Sequence, residues 1–280
     1  MGTNGYRVGM AQTGVEGGRP DDNLGRAADA VRAAAAAGCR LVVLPECLDC
    51  GWTDPSARTL ARPIPGPHAD VLAGAARDNH VYVAAGLVER AGDRLYNAAV
   101  LISPAGDILL HHRKVNELDI ALDLYAVGDR LGVAETELGT LGLAVCADNF
   151  GSSLAVGHVL ARMGAQVILS PSAWAVDADH DNARDPYGKL WLDSYSELAR
   201  LYDVAVVGVS NVGPMTGGPW AGRTCIGCSL AVGPGGAVLA RGPYGEDAAA
   251  VVPVEVTPRP PVARGTGFAD ALAARGYRGG

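Results

Sequence analysis

Three residues of this chain stand where an apolar run gives way to polar sequence, and their types suit nucleophilic attack on a carbonyl or a related electrophile. Cys146 closes the run Gly142-Leu143-Ala144-Val145 and is followed at once by Ala147-Asp148-Asn149. Glu46 follows Leu41-Val42-Val43-Leu44-Pro45, and Lys114 follows Leu109-Leu110-His111-His112-Arg113. Continuous apolar runs of this length read as buried strands. Each strand end would carry one reactive group to a sheet rim, where loops build pockets. A thiol with an ordinary pKa of about 8.5 is only a few per cent thiolate at neutral pH, so it needs a base or a nearby cation. A carboxylate can take the thiol proton and return it to a leaving amine, and an ammonium can stabilise the oxyanion formed in between.

Taken one at a time, these residues are unremarkable. Free cysteine is commonly inert core packing, and glutamate and lysine at strand ends are commonly solvated. Their order and company make the difference. Pro45-Glu46, Arg113-Lys114 and Cys146-x-Asp148 occur together with Tyr96-Asn97, Pro104-x-Gly106, Val127-Gly128-Asp129, Gly164-Ala165, Ser170-Pro171-Ser172-Ala173-Trp174, Ser210-Asn211 and Gly227-x-Ser229. In this order and spacing the set resembles the nitrilase, or carbon–nitrogen hydrolase, superfamily from Val8 to about Leu239, on its amidase and carbamoylase side.

The resemblance implies an α/β fold, a four-layer αββα sandwich with two mixed sheets flanked by helices. It implies that Cys146 is the nucleophile, Glu46 the general base and Lys114 the electrostatic stabiliser, with no cofactor and no metal. The backbone N–H of Ala147 is expected beside Lys114 at the oxyanion. Asn149 and Trp174 are expected to touch substrate, Trp174 as a wall of its pocket. The superfamily usually places a second glutamate between the lysine and the cysteine. Glu117, three residues from Lys114, is the candidate, and Asp123, one methylene shorter, is its rival. The substrate class implied is a linear amide or N-carbamoyl compound processed through a thioester. Nitrile hydrolysis and acyl transfer are alternatives within the family, and a non-catalytic binding protein on the same fold is an alternative of another class. Association through the helix beyond the nucleophile is also implied, giving a homodimer or larger assembly.

The elements that must carry these residues are readable in part. Acidic residues at Asp21-Asp22 suit a helix dipole at the start of an Ala-rich helix over 21–37, which Gly38 ends. A second helix is expected over 67–79, then strands over 81–88, 95–102 and 107–112, the last two joined by the turn Pro104-Ala105-Gly106-Asp107. A hairpin over 131–142 leads to Cys146. Helices over 152–164 and 185–201 alternate with strands over 166–170 and 204–209, and two short strands follow over 230–232 and 237–239. This gives one domain over 1–257 and an extended C-terminal tail over 258–280.

The composition narrows the partners. The chain has 280 residues, 49% hydrophobic and 19% charged, with a net charge of −7. No basic cluster suggests a nucleic-acid partner, and no apolar stretch approaches the roughly 18 residues of a membrane span. The first residues lack the apolar run of a secretory signal, so a cytoplasmic location is expected. Six cysteines should then be thiols. Cys47/Cys50 and Cys225/Cys228 have CxxC spacing, but the pairs are far apart, and strand alternation turns the second pair's side chains to opposite faces. Zinc is therefore not expected. His111 and His112, adjacent on a strand, read as structural, and Asp148 reads as a brace for the turn at Cys146.

Overall fold

A computed structural model describes residues 5–260, 262 and 268–277. The first half runs β1 (Tyr6–Gln12), α1 (Pro20–Ala36), β2 (Leu41–Val43), α2 (Ala57–Leu60), α3 (Pro67–Asn79), β3 (Tyr82–Ala91), β4 (Arg94–Ile102) and β5 (Ile108–Arg113). The second runs β6 (Val133–Thr136), β7 (Gly139–Leu143), α4 (Ala155–Met163), β8 (Val167–Ser172), β9 (Ala175–Val176), α5 (Lys189–Tyr202), β10 (Ala205–Ser210), β11 (Val212–Pro214), β12 (Thr224–Ile226), β13 (Leu230–Val232) and β14 (Val238–Arg241). Then come β15 (Ala250–Val256) and α6 (Phe268–Ala274).

Two six-stranded mixed sheets result, in the orders β15-β1-β2-β3-β4-β5 and β14-β13-β10-β8-β7-β6, with a small third sheet β11-β12-β9. The two large sheets are built alike. Each has a parallel core of three strands, β1-β2-β3 in one and β7-β8-β10 in the other, with antiparallel strands on either side. Side-chain alternation on β1 and β2 sorts the core into layers. Val8, Met10, Leu41 and Val43 join a cluster with Leu143, Val167, Leu169 and Val207 of the opposite sheet. Ala11 and Val42 face the other way, into a cluster with Leu24, Val31, Leu72 and Ala76 of α1 and α3. Leu160 of α4 and Leu198 of α5 cover the second sheet. The helix–sheet–sheet–helix order is the expected αββα sandwich.

Local sequence explains the framework. Pro20 starts α1 with Asp21 and Asp22 in its first turn, and Pro67 starts α3, both at the position where a missing N–H costs nothing. β2 is buried along its whole length, as a central strand covered on both faces must be.

Four differences from the sequence reading have physical causes. β15 was not expected, because Pro253 interrupts its apolar run; it is an edge strand, where proline is tolerated. The helix expected from 185 begins at Lys189, after Pro186 and a left-handed Gly188. The helix expected from 152 begins at Ala155, after a short 3-10 turn over Gly151–Ser153. The tail was expected to be extended, yet its Ala-rich stretch forms α6 and buries Leu272 against the main core; the rest of 261–280 lies largely outside the described residues. No helix among the described residues is long and apolar enough to cross a membrane.

Candidate active site

β2 delivers Glu46 to the rim between the two sheets. The backbone N–H of Glu46 bonds the carbonyl of Ser172 at 3.2 Å, tying the end of β2 to the end of β8 in the other sheet. Gly86 N–H bonds the carbonyl of Pro45 at 2.9 Å. A Cβ at Gly86 would lie 2.5 Å from the Cα of Glu46, so only glycine lets the carboxylate sit this close to β3.

Lys114 leaves β5 with its N–H bonded to Asn97 O and its carbonyl accepting from Gly128 N–H, both at 2.8 Å. A Cβ at Gly128 would lie 2.0 Å from the carbonyl oxygen of Arg113, which accounts for the glycine of the Val127-Gly128-Asp129 motif. Lys114 and Glu46 are each 1% exposed. Lys114 Nζ donates to Glu46 Oε1 at 2.7 Å, and Asn97 Nδ2 donates to the same oxygen at 2.6 Å. Burial by itself would lower the lysine pKa, but Glu46 and Glu117 outweigh it and hold the ammonium well above its ordinary value.

Cys146 follows β7 with φ +42°, a left-handed backbone that non-glycine residues rarely adopt. It opens a 3-10 turn, Cys146–Asn149. Asp148 locks that turn from both directions. Its N–H bonds Val145 O at 2.9 Å, and its Oδ2 accepts from Val145 N–H at 2.9 Å. Oδ1 accepts from the N–H groups of Val115 and Asn116 at 3.1 and 2.8 Å, just beyond Lys114. His112 Nε2 donates to Oδ2 at 2.8 Å. Burial would raise the Asp148 pKa, but His112 and the backbone N–H of Asn116 keep it below its ordinary value. The Cys146 thiol is pushed far up by burial and by the charge of Glu46; Lys114 and the Ala173 N–H oppose this. At rest the sulfur is therefore a thiol.

Glu117 lies beneath Lys114, with Oε2 3.6 Å from Nζ and its side chain fully buried. Neither carboxylate oxygen has a hydrogen-bond partner among the described residues. Burial, with Glu46 and Asp148 nearby, raises its pKa to about 7 despite Lys114. The rival Asp123 is exposed to solvent.

Glu46, Lys114 and Cys146 line a cavity of about 200 Å³ together with the aromatic rings of Trp52, Phe150, Trp174, Tyr187, Trp191 and Trp220. Trp174 stacks on Trp191 (4.9 Å, 17°), and Trp52 meets Trp220 edge-on (4.8 Å, 63°). Trp174 is one of the lining residues. Ala147 and Asn149, expected at the substrate, are not among the lining residues. The Asn149 amide instead donates to the carbonyls of Ala144 and Cys146 and to Ser170 Oγ, bracing the turn from within. The Ala147 carbonyl accepts from Asn116 and Ser153. Its N–H lies in the first turn of the 3-10 segment, where no intrahelical acceptor exists.

Sequence reasoning did not single out Asn97, Trp52, Trp191 or Trp220. Asn97 was present only as part of a framing motif. The tryptophans carried a clear signal of another kind: the chain has four, and all four line this cavity.

All six cysteines are free thiols, and among the described residues no cluster of three possible metal ligands contains both members of a CxxC pair. Among the described residues, Asp49, Cys50 and His68 alone bring three possible ligand atoms within 4.8 Å of one another. These atoms are already committed. His68 Nδ1 and Asp49 Oδ2 are 2.8 Å apart, and Asp49 Oδ1 accepts from Val88 N–H.

The family profile described as carbon-nitrogen hydrolase matches residues 7–258. An omega-amidase NIT2 of Danio rerio is 32% identical over 163 residues, 55% of this chain and 58% of that protein. A nitrilase of Pyrococcus abyssi is 36% identical over 159 residues, 55% of this chain and 59% of that protein. The matched stretch thus spans about three fifths of these curated relatives. Among solved structures, a carbon-nitrogen hydrolase from Helicobacter pylori G27 superposes with a TM-score of 0.81 at 22% identity, covering 91% of this chain and 90% of that one. An amidase from Nesterenkonia sp. superposes with a TM-score of 0.73 at 21% identity, again covering 91% and 90%. At these identities the structural likeness speaks for the fold.

Proposed function

The chain belongs to the carbon–nitrogen hydrolase family, and on that premise we propose that it hydrolyses a linear amide or N-carbamoyl compound through a thioester on Cys146. The observation that carries this reading is the Glu46 carboxylate, which accepts from Lys114 Nζ at 2.7 Å and lines the same aromatic cavity as the Cys146 thiol.

As the sulfur attacks the carbonyl carbon, Glu46 takes the thiol proton. A thiol held far above neutrality by burial suits transfer during attack better than a preformed thiolate. The oxygen that becomes negative is stabilised by Lys114 Nζ and the Ala147 N–H. Glu46 then protonates the departing amine, the C–N bond breaks and the thioester remains. Water, deprotonated by Glu46, attacks the thioester carbon, and the acid leaves as the thiol is restored. Glu117 holds Lys114 from the side away from Glu46 and keeps its charge in place. A nitrile is the second substrate class, supported by the nitrilase among the relatives. A homodimer formed through α4, where Val159 and Met163 are exposed, and a reducing cytoplasm that keeps Cys146 a thiol, complete the proposal.

The test is a screen of amides, N-carbamoyl amines and nitriles for ammonia release, with mass spectrometry of the protein during turnover. Ammonia release with a transient acyl adduct on Cys146 is expected, and Cys146→Ser should lower the rate by at least about 10³-fold. Turnover that survives Cys146→Ala would exclude this mechanism. A biological role retained by that variant without turnover would favour a binding protein.

A further inference from the structure

We infer that this cavity takes a small amide whose acyl group is uncharged and apolar, about one aromatic ring in size, and that it discriminates against monoamides bearing a free carboxylate. This rests on the hydrolase reading above and narrows its substrate class.

The distribution of aromatic residues carries the inference. Only 5% of the chain is aromatic, with four tryptophans and two phenylalanines. All four tryptophans and one phenylalanine, Phe150, line this single cavity. Trp191 joins the walls together, stacking on Trp174 and meeting Phe150 at 5.2 Å. Indole faces set this close give an apolar acyl group large contact areas and favourable ring geometry.

The charged side chains of the lining are Glu46 and Lys114 alone. Lys114 supplies the cavity's only cation among the lining residues, and Glu46 already holds it at 2.7 Å. The Tyr187 hydroxyl accepts from Trp191 Nε1 at 3.0 Å. Arg223 lies over Trp220, 4.3 Å from the ring centroid, but it is not part of the lining and Asp177 pairs with it at 2.9 Å. The buried indole N–H groups of Trp52 and Trp174 have no acceptor among the described residues. They are neutral donors, suited to a neutral oxygen, and leave a buried carboxylate without a balancing charge. Size points the same way. A dry cavity of about 150 Å³ holds benzene, so about 200 Å³ holds one ring and a carboxamide.

The experiment compares kcat/KM at pH 7, by ammonia release, for 2-phenylacetamide, isobutyramide, succinamate and β-alaninamide. Phenylacetamide should exceed succinamate by at least about 100-fold, because the buried carboxylate would be left unpaired. Succinamate turned over as well as phenylacetamide would overturn the inference while leaving the hydrolase reading intact. β-Alaninamide as the best substrate would also overturn it, showing that the rings serve a cation instead. No ammonia from any amide, with no adduct on Cys146, would remove the hydrolase reading and this inference with it. Leu190 lines the mouth and is half exposed. Leu190→Arg should shift the succinamate-to-phenylacetamide ratio upward by at least tenfold, and an unchanged ratio would show that charge is not what excludes the carboxylate.

Discussion

Lys114 and Asn97 both donate to one oxygen of Glu46, at 2.7 and 2.6 Å, inside a site that is almost wholly withdrawn from water. One donor is charged and the other neutral, and both come from the β4–β5 side of the first sheet. The carboxylate is therefore fixed in direction before any substrate arrives, and its charge raises the pKa of the Cys146 sulfur.

The neutral donor gives the cleaner test of this arrangement. Asn97→Ala removes a hydrogen bond to a buried charge, which should cost about 1.5–3 kcal/mol of stability. Because the general base is then less well aimed, kcat should fall by up to about 10²-fold while KM changes little. Denaturant unfolding and steady-state kinetics on the same variant check both. A large rise in KM at constant kcat would show that Asn97 binds substrate and does not orient Glu46.

Asp148 is the brace between the lysine and the nucleophile. Three backbone N–H groups and His112 converge on its carboxylate, and they belong to the segments on either side of the site. Asp148→Ala leaves those buried donors without an acceptor and should destabilise the protein by about 3–5 kcal/mol. Asp148→Asn keeps an acceptor but loses the charge that faces His112. It should fold, with kcat reduced and KM nearly unchanged. An Asp148→Asn enzyme as active as the parent would show that the brace is purely structural.

Glu117 makes the site sensitive to pH near neutrality. Its folded pKa is about 7, above the ordinary value of 4.5, with burial the main cause. A raised carboxyl pKa means that the folded state holds the proton more tightly than the unfolded chain does. Its contribution to stability is greatest below about pH 4.5 and is lost as the pH rises through 7. Glu117→Gln does not titrate, so its stability relative to the parent should improve between pH 5 and pH 8, read by urea unfolding at both values. A constant difference across that range would place the Glu117 pKa near its unfolded value.

Much of this site was legible because its carriers are short buried strands with abrupt ends. The apolar runs Leu41 to Leu44 and Gly142 to Val145 each carry the buried end of a central strand, β2 and β7, and Glu46 and Cys146 follow these runs within two residues. Glu117 was reachable through its spacing from Lys114. Other features were not legible. The turn with a left-handed Cys146 leaves carbonyls that need donors, and the Asn149 amide supplies them. Trp52 and Trp220 lie in loops far apart in sequence, and no local periodicity could bring them together. β15 was hidden by Pro253 and by a pairing partner at the other end of the chain.

That last pairing governs how the molecule can be made. β1 is synthesised well before its partner, and its outer edge stays open until Ala250–Val256 arrives to run alongside it from Gln12 back to Tyr6. The second sheet has no such wait, since β6 sits directly before β7 and pairs with it through a hairpin. During synthesis the nucleophile's half can thus be assembled while the general base's half still has an unpaired edge, and a nascent chain stalled before residue 250 would present that edge to its neighbours.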